Sequence, residues 1–93
     1  MIIEKSRDFE RDLDNVLDFI AEDSIDRALD FLSELEEKLA GLPCMPYKFR
    51  PSIYFDDDDI RDYIFKGYVI PYLIDKTMDR IILLGIVKYR KIL

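Results

Sequence analysis

Two runs near the end of the chain are apolar on both strand parities. In the first, Tyr68, Ile70, Tyr72 and Ile74 fall on one side of an extended strand, with Val69, Pro71 and Leu73 on the other. In the second, Ile82, Leu84 and Ile86 face one way and Ile81, Leu83 and Val87 the other. A strand apolar on both sides must be covered on both sides. Upstream the period changes. Phe9, Leu13, Val16, Leu17 and Ile20 recur at i, i+4, i+7, i+8 and i+11, which is one face of a helix. Ile25, Ala28, Leu29, Leu32, Leu35 and Leu39 make a second stripe, with Asp26, Arg27, Asp30, Glu34, Glu37 and Lys38 turned outward.

The joints agree with this pattern. Ser6 is placed to cap the first helix, with Asp8 and Glu10 in the first turn, where acids suit the positive end of the helix dipole. Glu22, Asp23 and Ser24 interrupt the apolar spacing, and Asp23 or Ser24 can cap the second helix, which Gly41 and Pro43 end. So short a break predicts an antiparallel helical hairpin. Residues 1–6 predict a short first strand and residues 60–65 another, followed by a tight turn at Lys66 and Gly67. The strand over residues 68–75 contains Pro71, which has no N–H for a ladder and implies a bulge or an unpaired edge. A second hairpin loop at residues 76–79 leads to a fourth strand from Arg80 to about Tyr89. The predicted order is β-α-α-β-β-β. That is an α+β domain spanning residues 1–93, with the helical hairpin on one face of a small, mainly antiparallel four-stranded sheet. The second sheet face then needs a loop, a copy of the chain or a partner to cover it.

Between helices and meander, residues 43–59 hold Pro43, Pro46 and Pro51 and show no clean periodicity. Lys48 and Arg50 lie there with Tyr47, Phe49, Tyr54 and Phe55 interleaved. Two readings compete: aromatic rings that tack the loop to the sheet edge, or a cationic, aromatic surface that meets phosphate and stacks on splayed RNA bases.

Composition narrows the chemistry. Ninety-three residues, 49% of them apolar, suit one modest core. The N-terminus runs straight into charged residues and no apolar run approaches membrane-spanning length, so a cytoplasmic protein without membrane contact is expected. A single cysteine, Cys44, excludes an internal disulfide, and the absence of histidine removes its usual activator. The net charge of −6 argues against nucleic-acid binding by the chain as a whole. The charge is uneven, however. Residues 1–42 carry five Lys or Arg against thirteen Asp or Glu, and residues 43–93 nine against seven. A sheet face can therefore still be locally basic.

The element order and its joints resemble the RelE/ParE superfamily of toxins from type II toxin-antitoxin modules. The matching residues are F-x-x-x-L-x-x-V-L-x-x-I from Phe9 to Ile20, L-x-x-L-P from Leu39 to Pro43, and Ile60-Arg61. After these come Gly67-Tyr68-Val69-Ile70-Pro71-Tyr72 and an apolar last strand ending in Tyr89-Arg90. The resemblance implies a toxin neutralised by a cognate antitoxin laid over the exposed sheet face. It leaves both a homodimer and a toxin-antitoxin hetero-oligomer open. RelE-like members cut messenger RNA on the ribosome, whereas ParE-like members poison DNA gyrase without assigned hydrolytic chemistry. An inactive member that binds only its antitoxin is a third reading.

If the chain is an enzyme, the resemblance implies a metal-independent endoribonuclease with no cofactor, in which the substrate's 2′-hydroxyl attacks the adjacent phosphate. That reaction needs a base, an acid and cations for the developing charge. The matching catalytic positions are Lys48, Arg50, Arg61 and Tyr89, with Arg80 and Arg90 binding substrate. Arg61 would clamp phosphate, Lys48 or Arg50 would stabilise charge or take a proton, and Tyr89 would position substrate or donate a proton. With no histidine, and no glutamate after Glu37, acid-base work would fall to Lys or Tyr with a shifted pKa. Each arginine also has a plain salt-bridge reading, Arg61 beside Asp59 and Asp62 and Arg80 beside Asp79. The run from Asp56 to Asp59 points its carboxylates alternately apart. It suits a solvated turn or an acidic handle better than a metal site.

Overall fold

The computed structural model describes residues 1–88. Strand β1 (Ile2–Lys5) precedes helices α1 (Arg7–Asp23) and α2 (Ile25–Ala40) and a 3₁₀ turn at Leu42–Cys44. Strands β2 (Ile60–Phe65), β3 (Tyr68–Asp75), β4 (Arg80–Leu83) and β5 (Val87–Lys88) follow. The sheet order is β1-β4-β3-β2, with β5 also paired to β3; β1 runs parallel to β4 and the other pairs are antiparallel. This is the expected α+β class, with five strands among the described residues in place of the four expected.

The fifth strand arises because the predicted last strand breaks, and Pro71 explains where. Tyr72 pairs with Leu83, so the next pair along the ladder is Pro71 with Leu84. Leu84 donates its N–H to the Pro71 carbonyl at 2.9 Å, and Pro71 has no N–H to return. β4 stops there. When pairing resumes, Val69 faces Val87, one residue further along than the β4 register would give. The extra residue is a bulge, one of the two outcomes Pro71 implied. It also corrects the predicted facing: Ile86 turns into the core and Val87 turns out to solvent.

Helix α1 clamps this break. Ser6 caps α1 by accepting from the Phe9 N–H at 3.1 Å, and its hydroxyl donates to the Leu84 carbonyl at 3.2 Å. Asp12, nearly two turns on from Ser6, accepts the Ile86 N–H at 2.9 Å. A Cβ at Gly85 would lie 3.0 Å from the same carboxylate oxygen, so the small residue permits the approach. Asp12→Ala is therefore expected to cost about 1–2 kcal/mol in urea denaturation, because it leaves the Ile86 N–H without its acceptor. Asp12→Asn should recover most of that.

Ser24, not Asp23, caps α2, accepting from the Arg27 N–H at 3.2 Å. It is the only residue between the two helices, which holds them as the predicted antiparallel pair. Their inner faces bury Phe9, Leu13, Phe31, Leu35 and Leu39 against Ile70, Tyr72, Ile74, Ile81 and Leu83. The predicted α2 stripe needs one correction. Phe31 lies at its centre, edge-on to Phe65 at 5.3 Å and to Tyr68 at 5.7 Å. With that bulky ring on the sheet, Ile25 and Leu29 turn outward and are 69% and 60% exposed.

Among the described residues, the opposite sheet face carries no helix. Ile2, Ile64 and Val87 are exposed there, and Leu73, Ile82 and Leu84 partly so.

Candidate functional site at the β2 edge

Residues 45–59 fold back along the outer edge of β2. Asp62 donates its N–H to the Arg50 carbonyl at 3.0 Å, Ser52 donates to the Ile60 carbonyl at 2.8 Å, and Pro51 bridges to Arg61. The Tyr72 hydroxyl donates to the Pro46 carbonyl at 2.6 Å and pins the loop to the centre of the sheet. A segment without periodicity is thus ordered by bonds to strands that lie later in the chain.

Strand alternation separates Arg61 from its neighbour Asp62. Arg61 lies on the helix side, where its Nε donates to the Asp58 carbonyl at 3.0 Å and its Nη1 to the Phe49 carbonyl at 3.2 Å. Its guanidinium also lies 5.0 Å from the Tyr47 ring, which has the Lys76 ammonium 5.3 Å from its centroid. The Tyr47 hydroxyl donates to Asp59 at 2.7 Å, and Lys76 lies 3.8 Å from that same carboxylate oxygen. Arg61, Tyr47, Asp59 and Lys76 thus close the ends of the loop on each other.

Asp62 faces the other way, is buried, and receives Arg50. The Arg50 Nε donates to Asp62 Oδ2 at 3.3 Å, its Nη2 lies 3.2 Å from that oxygen, and the Ile53 N–H donates to it at 3.1 Å. Arg80 is engaged two strands away, on β4, where its Nε donates to Asp75 and its Nη1 to Glu4, each at 2.9 Å. Asp75 is held below the usual carboxylate range first by that bond from Arg80 and then by the Met78 N–H. Lys48 differs from the three arginines. It is exposed, and its only charge contact among the described residues is with the Phe49 ring, at 5.5 Å.

Tyr89 and Arg90, at the predicted end of the last strand, lie outside the described residues. Of the other candidates, Lys48, Arg50 and Arg61 gather at the β2 edge, whereas Arg80 lies two strands away. The phenols of Tyr63 and Tyr72 are poor proton-transfer groups at neutral pH. Burial pushes Tyr72 up to about 12, the nearby Arg61 opposing and Asp62 adding, and burial also raises Tyr63. The aspartate run forms a turn: Asp57 accepts the Asp59 N–H on its side chain at 2.8 Å and the Ile60 N–H on its carbonyl at 3.0 Å. Among the described residues, no group of three or more His, Cys, Asp or Glu is placed to hold a metal ion. Among them, too, no helix is long and apolar enough to cross a membrane.

Sequence reading missed Tyr47, Asp62 and Lys76 as members of this constellation. The one available signal was parity, since adjacent strand residues such as Arg61 and Asp62 cannot share a face.

No curated protein sequence matches the chain at a significant level. Among solved structures, the chain superposes on a protein of the chromosomal ParDE TA system from P. aeruginosa with a TM-score of 0.79 at 19% identity, covering 97% of each chain. A conserved hypothetical protein from Helicobacter pylori gives 0.56 at 22% identity, over 95% of this chain and 93% of the other. At those identities the likeness concerns the fold alone. The family model described as ParE toxin of type II toxin-antitoxin system, parDE, matches residues 3–92. The chain belongs to this family of ParE toxins.

Proposed function

We propose that this toxin inhibits growth by binding DNA gyrase in the cytoplasm, without hydrolysing a substrate, and that its antitoxin neutralises it from the helix-free sheet face. The observation that carries the first part is the engagement of the arginines at nuclease-like positions. Arg50 is paired to a buried carboxylate, Arg61 bonds two main-chain carbonyls, and Arg80 bridges two acids. Each has a structural task that accounts for its presence. The raised phenols of Tyr63 and Tyr72 are unsuited to proton transfer near pH 7. The exposed Ile2, Ile64 and Val87, with Leu73, Ile82 and Leu84 between them, supply the apolar surface that an antitoxin segment would bury.

The second reading, ribosome-dependent cleavage of messenger RNA, draws its support from Lys48, an exposed cation beside an aromatic ring, as phosphate recognition uses. Two assays separate the readings. Titrated into a supercoiling reaction, the protein is expected to inhibit purified gyrase while leaving a defined message intact in a reconstituted translation system. Message cut at A-site codons, with supercoiling unaffected, would overturn the gyrase reading.

Arg61→Ala sharpens the comparison. As a loop staple, Arg61 contributes about 1–2 kcal/mol through charged hydrogen bonds to the two carbonyls. The variant should therefore melt earlier and inhibit normally at a temperature where it is fully folded. A folded Arg61→Ala protein without toxicity would return Arg61 to phosphate clamping.

A further inference from the structure

Beside the 3₁₀ turn, at the Phe65 end of β2, lies an open groove of about 510 Å³. Met45, Phe49, Tyr63 and Ile64 line it with apolar surface, Lys38 and Lys48 supply two ammonium groups, and among the described residues no carboxylate contributes to the wall. In a chain of net charge −6, such a wall selects for acidic, apolar groups. One segment with that chemistry lies at the opposite end of β2. Ile53, Tyr54 and Phe55 are 64%, 43% and 45% exposed, and the acids that follow, Asp56, Asp57 and Asp58, are exposed as well. The segment is held in shape by the Tyr54 N–H on the Ser52 hydroxyl at 3.2 Å, and by the Asp57 turn. A preformed knob loses little conformational freedom when it docks.

We propose that the groove receives the Tyr54–Asp58 knob of a second copy of this chain. The knob precedes the start of β2 and the groove flanks its end, so two copies with antiparallel β2 strands would bring each knob to the other's groove. This is a closed two-fold contact in which both halves of each surface are used. Aromatic rings of Tyr54 and Phe55 would meet Phe49 and Met45, and the carboxylates of Asp56 and Asp58 would meet Lys38 and Lys48. The proposal depends on neither reading of the toxin's target.

Sedimentation velocity of the full chain tests it. At low salt the chain is expected to pass from monomer to dimer with rising concentration, the association weakening about tenfold as added salt screens the lysine-carboxylate pairs. The variants Lys38→Glu/Lys48→Glu and Asp56→Lys/Asp58→Lys change only exposed side chains and spare the Asp57 turn, and circular dichroism checks that each folds. Each variant alone should remain monomeric, whereas a mixture of the two should form a heterodimer, because both of its contacts regain opposite charges. A synthetic peptide of residues 52–59 should compete with the wild-type dimer. A wild-type chain that stays monomeric overturns the proposal, as does a dimer indifferent to both reversals. Binding of the peptide to a chain that does not self-associate would also overturn it, and would assign the groove to an acidic segment of a different protein.

Discussion

Replacing Asp62 by alanine is expected to lower the unfolding free energy by about 2–3 kcal/mol, the largest single effect among the polar residues that hold the loop on β2. Asp62 is 1% exposed, and one of its oxygens, Oδ2, receives the Arg50 guanidinium and the Ile53 N–H together. Removing the carboxylate leaves a half-buried guanidinium without its counter-charge and a main-chain donor without an acceptor. Breaking a fully buried pair from one side costs about 3–5 kcal/mol. The Arg50 side chain keeps 35% of its exposure, which places the expected loss below that range. Asp62→Asn should fall between wild type and Asp62→Ala, since it retains an acceptor but not the charge. Urea denaturation measures the loss. Limited proteolysis should show cleavage of the variant within residues 45–59 under conditions where the wild type is resistant. A loss under about 1 kcal/mol would mean that desolvation of the pair already offsets its attraction in the native chain.

Alkaline pH is expected to unfold the protein through Tyr72. Its ring is fully buried and its hydroxyl is engaged by the Pro46 carbonyl, so the folded state favours the neutral phenol. The group ionises near 10 when unfolded and at about 12 when folded. The associated stability is complete below pH 10, falls as pH rises from 10 to 12, and is lost above that, amounting to about 2–3 kcal/mol. Tyr63, also raised by burial, acts in the same direction. Tyr72→Phe isolates the contribution. It should cost about 1 kcal/mol at neutral pH, through the lost hydrogen bond, and flatten the alkaline limb of the stability curve. Tyrosinate absorbance at 295 nm, followed with far-ultraviolet circular dichroism, should show ionisation and unfolding together in the wild type. An unchanged alkaline limb in Tyr72→Phe would show that other groups control it.

These two residues show how the two levels of description divide. Local patterns determined the helices, their caps and the meander. Phe9 and Leu13 recur at helical spacing, Ser6 and Ser24 are cap residues, and Lys66 with Gly67 adopts positive φ at both turn positions, 47° and 82°. Pro71 announced an interruption, because a missing N–H is a property of the residue itself. Its location in three dimensions depended on the partner strand. Only pairing with β4 placed Leu84 opposite Pro71, broke the last strand in two and exchanged the facing of Ile86 and Val87.

The site was less legible for the same reason. The candidate cations were visible as residue types, and strand parity, properly applied, separates Arg61 from Asp62. No local rule joins Arg50 to Asp62, Tyr47 to Asp59 or Arg80 to Glu4, which are 12, 12 and 76 positions apart. Those contacts follow from how the loop lies on β2 and how β1 lies beside β4. The sequence by itself determined which segments could bury an apolar face, because that depends on spacing within one turn or one strand. The tertiary structure alone decided which charges were engaged and which faced solvent, because ion pairing and desolvation depend on neighbours that only the folded sheet brings together.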